Sequence, residues 1–434
     1  LYNRYFFDNE LVKLTREALH TGRDNSLLYL DLDHFKVIND THGHHEGDTV
    51  LKEIAKLLLE YTPERGTLCR IGGDEFAVLL TNTAIDEAET MARALRDCIA
   101  NTSFSFGNST YKVSCSIGVA VIDGNSSNSD VYLQRADIAM FAAKEKGRNR
   151  VHTYKDDDQV TEALKHSFNW VQKIQAALFD DQITMHFQPV LNIQTQSVCY
   201  FEALVRLEVE DKLVFPSDFI PSLEKVEEMG LLDRHVVGKT FQMMKYHPEL
   251  KCVAINLSAQ AFTDERFLQY VEEKLAQYQI QPSRVIFELT ESASLSNITG
   301  TQRIVQKLNQ LGCRFSIDDF GTGFSTFAYL KQIPAHSVKI DGSFVKDMES
   351  DPIDAALVKA IHETAKALNK KTVAEFVENG QILKQLQTLG VHYAQGYHIA
   401  KPMEVSQIEP YLSGFNQQWT NLFTEKSSEP MLCN

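Results

Sequence analysis

Residues 314–325 read RFSIDDFGTGFS, a short apolar run that ends in two adjacent aspartates and continues into a glycine-rich loop. Runs of this kind recur and alternate with helical patterns such as ITGTQRIVQKLNQLG (298–312). The other runs are ITMHFQPV (183–190), CVAINLSA (252–259), RVIFELT (284–290), SVKID (337–341) and KTVAEFVE (371–378). Because such alternation over about 230 residues favours a parallel sheet, the sequence predicts an α/β TIM-like (β/α)8 barrel.

Polar residues stand where these runs end, and in a βα barrel that face carries the chemistry. Six of them offer oxygen ligands: Glu202, Asn256, Glu288, Asp318, Asp319 and Glu375. One hard divalent ion needs fewer, so the set predicts two metals that share a carboxylate and direct water onto a phosphodiester. Lys339 would stabilise charge or orient the water, and Arg206 would hold a substrate phosphate. Each residue alone is better explained as a solvated strand end, but the full set is not.

The first part of the chain has the pattern of an α+β unit. SLLYLDLDHFK (26–36) is typical of a buried strand, and GDTVLKEIAKLLLE (47–60) of a helix capped by Asp48 and Thr49. TLCRIGGDEFAVLL (67–80) predicts a hairpin. Three further elements complete the unit, namely a helix over 86–100, a strand over 111–122 and a helix over 130–146.

Residues of this unit have the types that a metal-bound nucleotide needs. Asp31 and Asp74 would converge on Mg²⁺. Gly72 and Gly73 lack Cβ atoms and so let phosphate oxygens approach the turn. Lys144 and Arg148 lie four residues apart, so they share a helix face and suit a phosphate tail. Asn39 and Asp48 offer the polar groups that suit a guanine edge. Each of these features, taken singly, is more simply a turn or a solvated edge.

The composition limits the classes of partner. The 434 residues carry 43 Lys+Arg against 58 Asp+Glu, a net charge of −15, which disfavours nucleic-acid polymers and anionic membranes but not a single nucleotide held with metals. The 7 cysteines form no CxxC pair, which is typical of a reduced compartment and gives no zinc site. No apolar run approaches the roughly 18 residues of a membrane span.

The charged run KDDDQ (155–159) marks a boundary between domains. The sequence predicts a first domain over residues 1–155 and a connecting helix over 156–180. A barrel domain over 181–415 and a peripheral tail over 416–434 follow. Since the sequence opens with Leu1 in a structured-looking segment, we expect the C-terminal portion of a longer sensor protein. That portion would be cytoplasmic, with a sensory or membrane domain upstream that could anchor the whole protein at the inner membrane.

The N-terminal motifs DLDHFKVINDTHGHHEGD (31–48), RIGGDEF (70–76) and KEKGRNR (144–150) resemble the GGDEF family of diguanylate cyclases. That family joins two GTP molecules into cyclic di-GMP across a homodimer. The resemblance implies metal binding by Asp31, Asp74 and the Leu32 carbonyl, with one or two Mg²⁺ or Mn²⁺ ions beside GTP. It implies that Asn39 and Asp48 hold guanine and that Glu75 supports catalysis. The implied nucleotide site also includes Phe35, Lys36, Gly72, Gly73, Lys144 and Arg148.

The C-terminal motifs resemble the EAL family of cyclic di-GMP phosphodiesterases, whose product is linear pGpG. They are EALVR (202–206), INLS (255–258), FELTE (287–291), IDDFGTGFS (317–325), VKID (338–341), AEFVE (374–378) and AQGY (394–397). The resemblance implies a βα barrel with an irregular strand direction at its start, and two Mg²⁺ or Mn²⁺ ions. One ion would be held by Glu202, Asn256, Glu288 and Asp318, and the other by Asp318, Asp319 and Glu375.

Further roles follow from the same resemblance. Glu291 would anchor the loop that starts at Phe320, and Gln395 and Glu378 would support substrate and water. Two departures from the family patterns stand out. Residues 63–66 read PERG in place of an inhibitory RxxD, so product inhibition through that site is not expected. Phe376 replaces the usual glycine of AEGVE, and its ring either crowds the second metal or packs inward.

Three functions are consistent with these motifs. The first is a cyclic di-GMP phosphodiesterase whose GGDEF domain binds GTP and regulates hydrolysis. The second is a bifunctional enzyme that both makes and breaks cyclic di-GMP, since both signatures are complete. The third is a non-catalytic receptor for cyclic di-GMP or GTP that signals by protein contact. Lost metal ligands would mark a receptor, and none are lost, so this function ranks last.

Overall fold

The computed structural model describes residues 1–35, 38–39, 43–106, 109–209, 212–226, 228–296, 298–322 and 327–422. These residues form two compact units, which divide between Asn169 and Trp170. Within the described ranges, no helix is both long enough and apolar enough to cross a membrane.

The first unit is built on strands and helices that alternate irregularly along the chain. Its strands are β1 (Asn25–Asp33), β2 (Gly66–Gly72), β3 (Glu75–Leu80), β4 (Ser103–Phe106), β5 (Ser109–Lys112), β6 (Ser114–Ile122) and β7 (Val151–Thr153). Its helices are α1 (Arg4–Thr21), α2 (His44–Tyr61), α3 (Ile85–Asn101) and α4 (Ser129–Glu145), followed by α5 (Gln159–Phe179), which spans the division. Five strands form one sheet in the order β2-β3-β1-β6-β7, and β4 and β5 form a separate hairpin.

Strand β1 lies at the centre of this sheet and is buried on both faces. Leu28, Leu30 and Leu32 pack into the core that α2 and α3 cover. Leu27 and Tyr29 alternate with them and pack into the core that α1 and α4 cover. Because side chains alternate along a strand, the two aspartates that follow at the end of β1 point to the α1–α4 side.

Two boundaries of the first unit were predicted wrongly. The stretch 111–122 is not one strand, because Lys112 ends β5 in the hairpin and Ser114 begins β6 in the main sheet. The helix predicted from residue 47 begins earlier, at His44, after Gly43 with a φ of 87°. Asp48 and Thr49 therefore lie inside α2 and do not cap it.

The second unit is an eight-stranded closed barrel with two short extra strands. The strands are β8 (Ile183–Asn192), β9 (Ser197–Val209), β10 (Lys212–Val214), β11 (Val253–Asn256), β12 (Val285–Thr290), β13 (Arg314–Phe320), β14 (Ser337–Ile340), β15 (Lys371–Ala374), β16 (Tyr393–Ala394) and β17 (Met403–Glu404). They pair in the order β10-β9-β11-β12-β13-β14-β15-β16-β8-β17, and β8 also pairs with β9 to close the barrel. The predicted barrel is confirmed.

Strand β9 and strands β11 to β16 are parallel neighbours around the barrel, whereas the extra strand β10 is antiparallel to β9. Strand β8 is antiparallel to both of its barrel neighbours, β9 and β16. This reversal is the irregular strand direction that the family resemblance implied. Since β9 and β11 to β16 run the same way, their carboxyl ends lie at one face of the barrel.

Helices cover the outside of the barrel and connect its strands. They are α6 (Pro216–Lys225), α7 (Met229–Tyr246), α8 (Glu265–Tyr278), α9 (Glu291–Ser296), α10 (Ile298–Leu311), α11 (Phe327–Gln332), α12 (Gly342–Lys346), α13 (Pro352–Ala367), α14 (Gly380–Leu389) and α15 (Ile408–Leu422). Short 3-10 helices span Ala261–Thr263, Pro282–Arg284 and Val405–Gln407. Helix α15 continues past residue 415 into the predicted tail, of which 423–434 lie outside the described residues.

Candidate active site

The predicted ligands of the barrel meet at the carboxyl ends of its strands. Asn256 is the last residue of β11, and Glu375 follows the last residue of β15. The remaining candidates lie within strands that end at the same face, namely Glu202 on β9, Glu288 on β12, Asp318 and Asp319 on β13, and Lys339 on β14. Residues far apart in sequence therefore form one cluster.

The Lys339 ammonium lies at the centre of this cluster. Its Nζ is 3.2 Å from Glu202 Oε2 and 3.1 Å from Glu288 Oε2. It is also 3.0 Å from Asp318 Oδ1 and 2.9 Å from Glu375 Oε1. Only 1% of Lys339 is exposed, so four carboxylates share one buried positive charge. Such an excess of buried negative charge calls for further cations.

The donor set fits two hard divalent cations. Glu202, Glu288 and Asp318 bring their carboxylate oxygens within 4.8 Å of one another, and so do Asp318, Asp319 and Glu375. Asp318 belongs to both groups. Glu288 is fully buried, and no described residue donates a hydrogen bond to its Oε1. Since a buried carboxylate oxygen without a partner is costly, this atom is suited to a metal ligand.

Burial dominates the protonation of the cluster. It raises the pKa of Glu288 and Glu375 well above the usual range, although the Lys339 ammonium opposes the shift. It also raises the pKa of Asp319 to about 6. Burial would raise the pKa of Glu202 as well, but the ammonium and hydrogen bonds from two side-chain amides outweigh it and lower that pKa. Glu202 is therefore the carboxylate whose charged form is best supported.

A chain of side-chain amides orients Glu202. Asn256 Nδ2 donates to Glu202 Oε1 at 2.6 Å, and Gln395 Nε2 donates to Oε2 at 2.6 Å. The same Gln395 nitrogen donates to Gln188 Oε1 at 3.0 Å, and Gln188 Nε2 donates to the Ala400 carbonyl at 3.0 Å. Sequence reasoning missed Gln188. Its signal is a glutamine inside the otherwise apolar run of β8, where a buried amide needs partners.

Glu291 contacts the start of the loop after β13, as the resemblance implied. Its Oε2 accepts a hydrogen bond from the Gly321 backbone nitrogen at 2.7 Å. Asp319, two residues before this glycine, has a left-handed φ of 52°. A non-glycine residue adopts that conformation only where its surroundings hold it, so the Glu291 contact supports the local geometry around Asp319.

Two cavities border the carboxylate cluster. The first has a volume of about 360 Å³, and the predicted substrate residues among those lining it are Arg206, Glu375, Glu378 and Gln395. The second has a volume of about 260 Å³ and is lined in part by Asn256, Asp318 and Asp319. In the first cavity the Arg206 guanidinium lies 5.1 Å from the centre of the Phe215 ring, a contact that the sequence did not predict.

Phe376 neither packs inward nor is buried against the carboxylates. Its side chain is 58% exposed and borders the first cavity. The residue has a left-handed φ of 49°, the conformation that glycine adopts most easily, which accounts for the glycine expected at this position. The ring packs on Gly342.

In the first unit, Asp31 lies beside a lysine. Lys144 Nζ is 2.9 Å from Asp31 Oδ1. Burial raises the pKa of Asp31 to about 6, although Lys144 opposes the shift. The Gly72–Glu75 turn is close by, since Leu32 donates its backbone N–H to the Asp74 carbonyl at 3.4 Å and Asp31 pairs with Glu75 across the strands.

A second residue holds this turn. Arg70 donates to the Gly73 carbonyl through Nε at 3.1 Å and through Nη2 at 2.8 Å. Gly73 has a φ of 39°, and both glycines of the turn are exposed. Arg70 was not among the predicted site residues, although it stands only two residues before Gly72 in the sequence.

The predicted guanine-binding residues lie close together. Gly47 packs so tightly on Asn39 that a Cβ at Gly47 would lie 1.8 Å from Asn39 Oδ1 and 3.3 Å from the Phe35 ring. Asp48 follows Gly47 and is exposed. The structure therefore brings Phe35, Asn39 and Asp48 to one place, near the start of α2. Lys36 lies outside the described residues. Arg148 lies in the turn after α4, four residues beyond Lys144.

Comparison with known families gives two matches, and each covers one of the two sets of motifs. The family described as "EAL domain" matches residues 171–402. The family described as "Diguanylate cyclase, GGDEF domain" matches residues 1–150. The two matches follow one another along the chain, in the order that the motifs predicted.

Individual curated proteins are similar to this chain across both domains. The chain is 34% identical to cyclic di-GMP phosphodiesterase PdeB of Shewanella oneidensis, covering 94% of this chain and 48% of the relative. It is 31% identical to the bifunctional diguanylate cyclase/cyclic di-GMP phosphodiesterase MucR of Pseudomonas aeruginosa, covering 94% and 60%. The chain thus spans about half the length of the curated relatives it matches.

A solved structure, "PaMucR Phosphodiesterase, c-di-GMP complex", is similar at 32% identity and a TM-score of 0.53, covering 55% of this chain and 99% of that one. The barrel, its carboxylate cluster and these matches lead to one assignment. The chain belongs to the EAL domain family and carries a GGDEF domain in tandem before its EAL domain.

Proposed function

We propose that the EAL domain hydrolyses cyclic di-GMP to pGpG with the help of two divalent cations. The observation that carries this proposal is the cluster around Lys339, in which two acidic triads share Asp318 at the catalytic face of the barrel. Relatives named as cyclic di-GMP phosphodiesterases support the choice of substrate.

The residues of the cluster divide between two ion sites. Glu202, Glu288 and Asp318, with Asn256, would hold one Mg²⁺ or Mn²⁺, and Asp318, Asp319 and Glu375 the other. Such a pair of ions, when bound, acidifies water and offsets the negative charge that develops on a phosphate. Lys339 remains within reach of both groups and keeps a positive charge where the phosphate reacts.

The hydrolytic step exchanges one bond to phosphorus. A water oxygen attacks the phosphorus, the bond to the ribose 3′ oxygen breaks, and the released 3′ oxygen takes up a proton as the water loses one. The product is a linear dinucleotide with a 5′ phosphate. Arg206 supplies the buried guanidinium of the first cavity and would bind a phosphate of the substrate.

The first unit would bind GTP with a divalent cation. Asp31, Asp74 and the Leu32 carbonyl supply ligands beside the glycine turn, and Lys144 and Arg148 supply positive charge for the phosphates. This domain either makes cyclic di-GMP from two GTP molecules, which requires two copies in a homodimer, or regulates hydrolysis. We favour regulation, because synthesis and hydrolysis together would only consume GTP.

Incubation of the purified chain with cyclic di-GMP and Mg²⁺ or Mn²⁺, followed by chromatography, tests the proposal. We expect pGpG with the metal and none with EDTA. Glu202→Gln should abolish the product because it removes a negative ligand but keeps the side-chain shape. Glu208→Gln is the matched control, since Glu208 lies on the same strand but is exposed.

Repeating the assay with GTP separates the roles of the first unit. Faster hydrolysis with GTP that is lost in Asp74→Asn would support a regulatory site. Cyclic di-GMP formed from GTP alone would support a bifunctional enzyme. Binding of cyclic di-GMP without metal-dependent pGpG would favour the receptor instead and contradict the hydrolytic proposal.

A further inference from the structure

The turn after α4 has a backbone that needs support. Gly147, Arg148 and Asn149 have φ values of 107°, 56° and 46°, all in the left-handed region. Glycine adopts this region freely and asparagine tolerates it, but for arginine it costs about 1–2 kcal/mol. The residue with the costly conformation is Arg148, a candidate phosphate ligand. Contacts with the rest of the unit must therefore hold the turn.

Asp33 provides such a contact. Its Oδ2 accepts a hydrogen bond from the Asn149 backbone nitrogen at 3.0 Å. The carboxylate is itself fixed, because Ser114 donates to Oδ2 at 2.6 Å and Ser116 donates to Oδ1 at 2.7 Å. Asp33 is 6% exposed, so this carboxylate is not a solvated strand end. Charge-assisted hydrogen bonds of this kind are about twice as strong as neutral ones.

Two further bonds tie the same turn to the unit. The Ile117 backbone nitrogen donates to the Arg150 carbonyl at 2.9 Å, which connects the turn to β6. The Arg148 backbone nitrogen donates to the Ala143 carbonyl at 3.1 Å, which connects it to the end of α4. Asp33 adds a connection to β1. The turn is thus connected to two strands, β1 and β6, and to the end of α4.

The two aspartates of β1 have different partners on one face. Asp31 contacts the Lys144 side chain, whereas Asp33 binds the backbone one residue after Arg148. We propose that Asp33 is a positioning residue for GTP: it fixes the turn so that Arg148 stands next to Lys144 to bind the phosphate tail. This inference rests on the proposed binding of GTP by the first unit.

Asp33→Asn in the full chain tests the inference. The amide keeps the shape of the carboxylate but turns one acceptor into a donor that faces a donor. We expect affinity for Mg²⁺–GTP to fall about ten-fold, because a charge-assisted bond is lost. Affinity for GMP, which lacks the β and γ phosphates of GTP, should stay within about two-fold. Titration calorimetry measures the first affinity, and competition against GTP in the parent and in each variant measures the second.

Two comparisons make the test specific. In an Arg148→Ala background, Asp33→Asn should cause no further loss of GTP affinity, because Asp33 acts through the turn that carries Arg148. Asp123→Asn is the matched control, since Asp123 also accepts hydrogen bonds, from Asn125 and Tyr132, in a loop elsewhere in the unit. It should leave GTP affinity unchanged. Ser114→Ala removes one hydroxyl that fixes Asp33 and should cause a smaller loss in the same direction.

The contrary results are distinct. Unchanged GTP affinity in Asp33→Asn, or an equal loss for GMP and GTP, would overturn the positioning role. An additive loss with Arg148→Ala would do the same. If Asp33→Asn does not fold, an unchanged GTP affinity in Ser114→Ala would overturn the role. Absence of GTP binding by the parent chain would overturn the proposed GTP site itself, and the role of Asp33 with it.

Discussion

The ring of Phe376 lies on Gly342, so closely that a Cβ added to this glycine would lie 1.9 Å from the ring. Phe376 also has a φ of 49°, a conformation that costs a non-glycine residue about 1–2 kcal/mol. Packing on the bare α-carbon of Gly342 helps to offset this cost. Gly342, at the start of α12, thus makes room for a bulky residue where the family pattern has glycine.

This contact predicts coupling between the two positions. Gly342→Ala should destabilise the chain by about 1–2 kcal/mol, because the new methyl group overlaps the ring. The same change in a Phe376→Gly background should cost much less, since no ring remains to be displaced. Urea unfolding of the four proteins measures the coupling free energy.

A matched control is Gly230→Ala, because a Cβ at Gly230 would meet no atom within 4 Å. It should change the free energy of unfolding equally in both backgrounds. Equal costs of Gly342→Ala with and without the ring would mean that the ring does not depend on this glycine.

The contacts of Lys339 lead us to expect that a variant without its ammonium depends more strongly on divalent cations for stability. Lys339→Met removes the ammonium from four carboxylates, and breaking a buried ion pair costs about 3–5 kcal/mol. We expect a lower melting temperature in EDTA, and a larger rise on addition of Mn²⁺ than in the parent chain, because the cations replace the lost charge. Lys359→Met, at an exposed position of α13, is the control. A variant as stable as the parent in EDTA would contradict the central role of this ammonium.

The sequence predicted the barrel and its catalytic face because both depend on local patterns. Apolar runs predicted the strands, and the polar residues at their ends had to meet once the strands were parallel. The position of Lys339 between four carboxylates could not be predicted, because it depends on the register of separate strands. The hairpin β4–β5 was missed because Tyr111 and Lys112 continue the β-type pattern of the strand that follows them.

Asp33 illustrates the same limit within the first unit. It stands two residues after Asp31, a spacing that puts both residues on one face of a strand. Its partners Ser114 and Ser116 lie 81 and 83 residues later, and they meet it because β6 pairs with β1 in antiparallel register. A sequence pattern shows which way a side chain points, but its partners follow from strand pairing.

From the surroundings of His392 we expect the folded chain to lose stability in acid. Its pKa is lowered from 6.5 to about 4 by burial and by nearby lysines, and its Nδ1 accepts the Thr372 backbone N–H at 3.2 Å. The unfolded chain thus binds a proton more readily than the folded one. The stability that the neutral His392 ring contributes to the folded chain is fully present above pH 6.5 and is lost as the pH falls towards 4.

We expect His392→Gln to flatten the dependence of unfolding free energy on pH between 6.5 and 4. A fully buried ring would contribute about 3 kcal/mol over this shift, and the partly buried ring of His392 should contribute roughly 2. Unfolding by urea at several pH values measures the slope. His20→Gln is the control, since His20 is exposed. An unchanged slope in His392→Gln would rule out this ring as the titrating group.

The contact of Gly47 with Asn39 gives a test of the proposed GTP site, in which Asn39 would hold guanine. An alanine Cβ there would lie 1.8 Å from Asn39 Oδ1, so Gly47→Ala must displace the Asn39 amide. Helix α2 should persist, because alanine favours a helix over glycine by about 1 kcal/mol. We therefore expect GTP affinity to fall about ten-fold, with ATP affinity unchanged, in competition binding assays. Thr49→Ala is the control, since its hydroxyl donates to the His45 carbonyl within the helix. Equal losses for both nucleotides would separate Asn39 from guanine recognition.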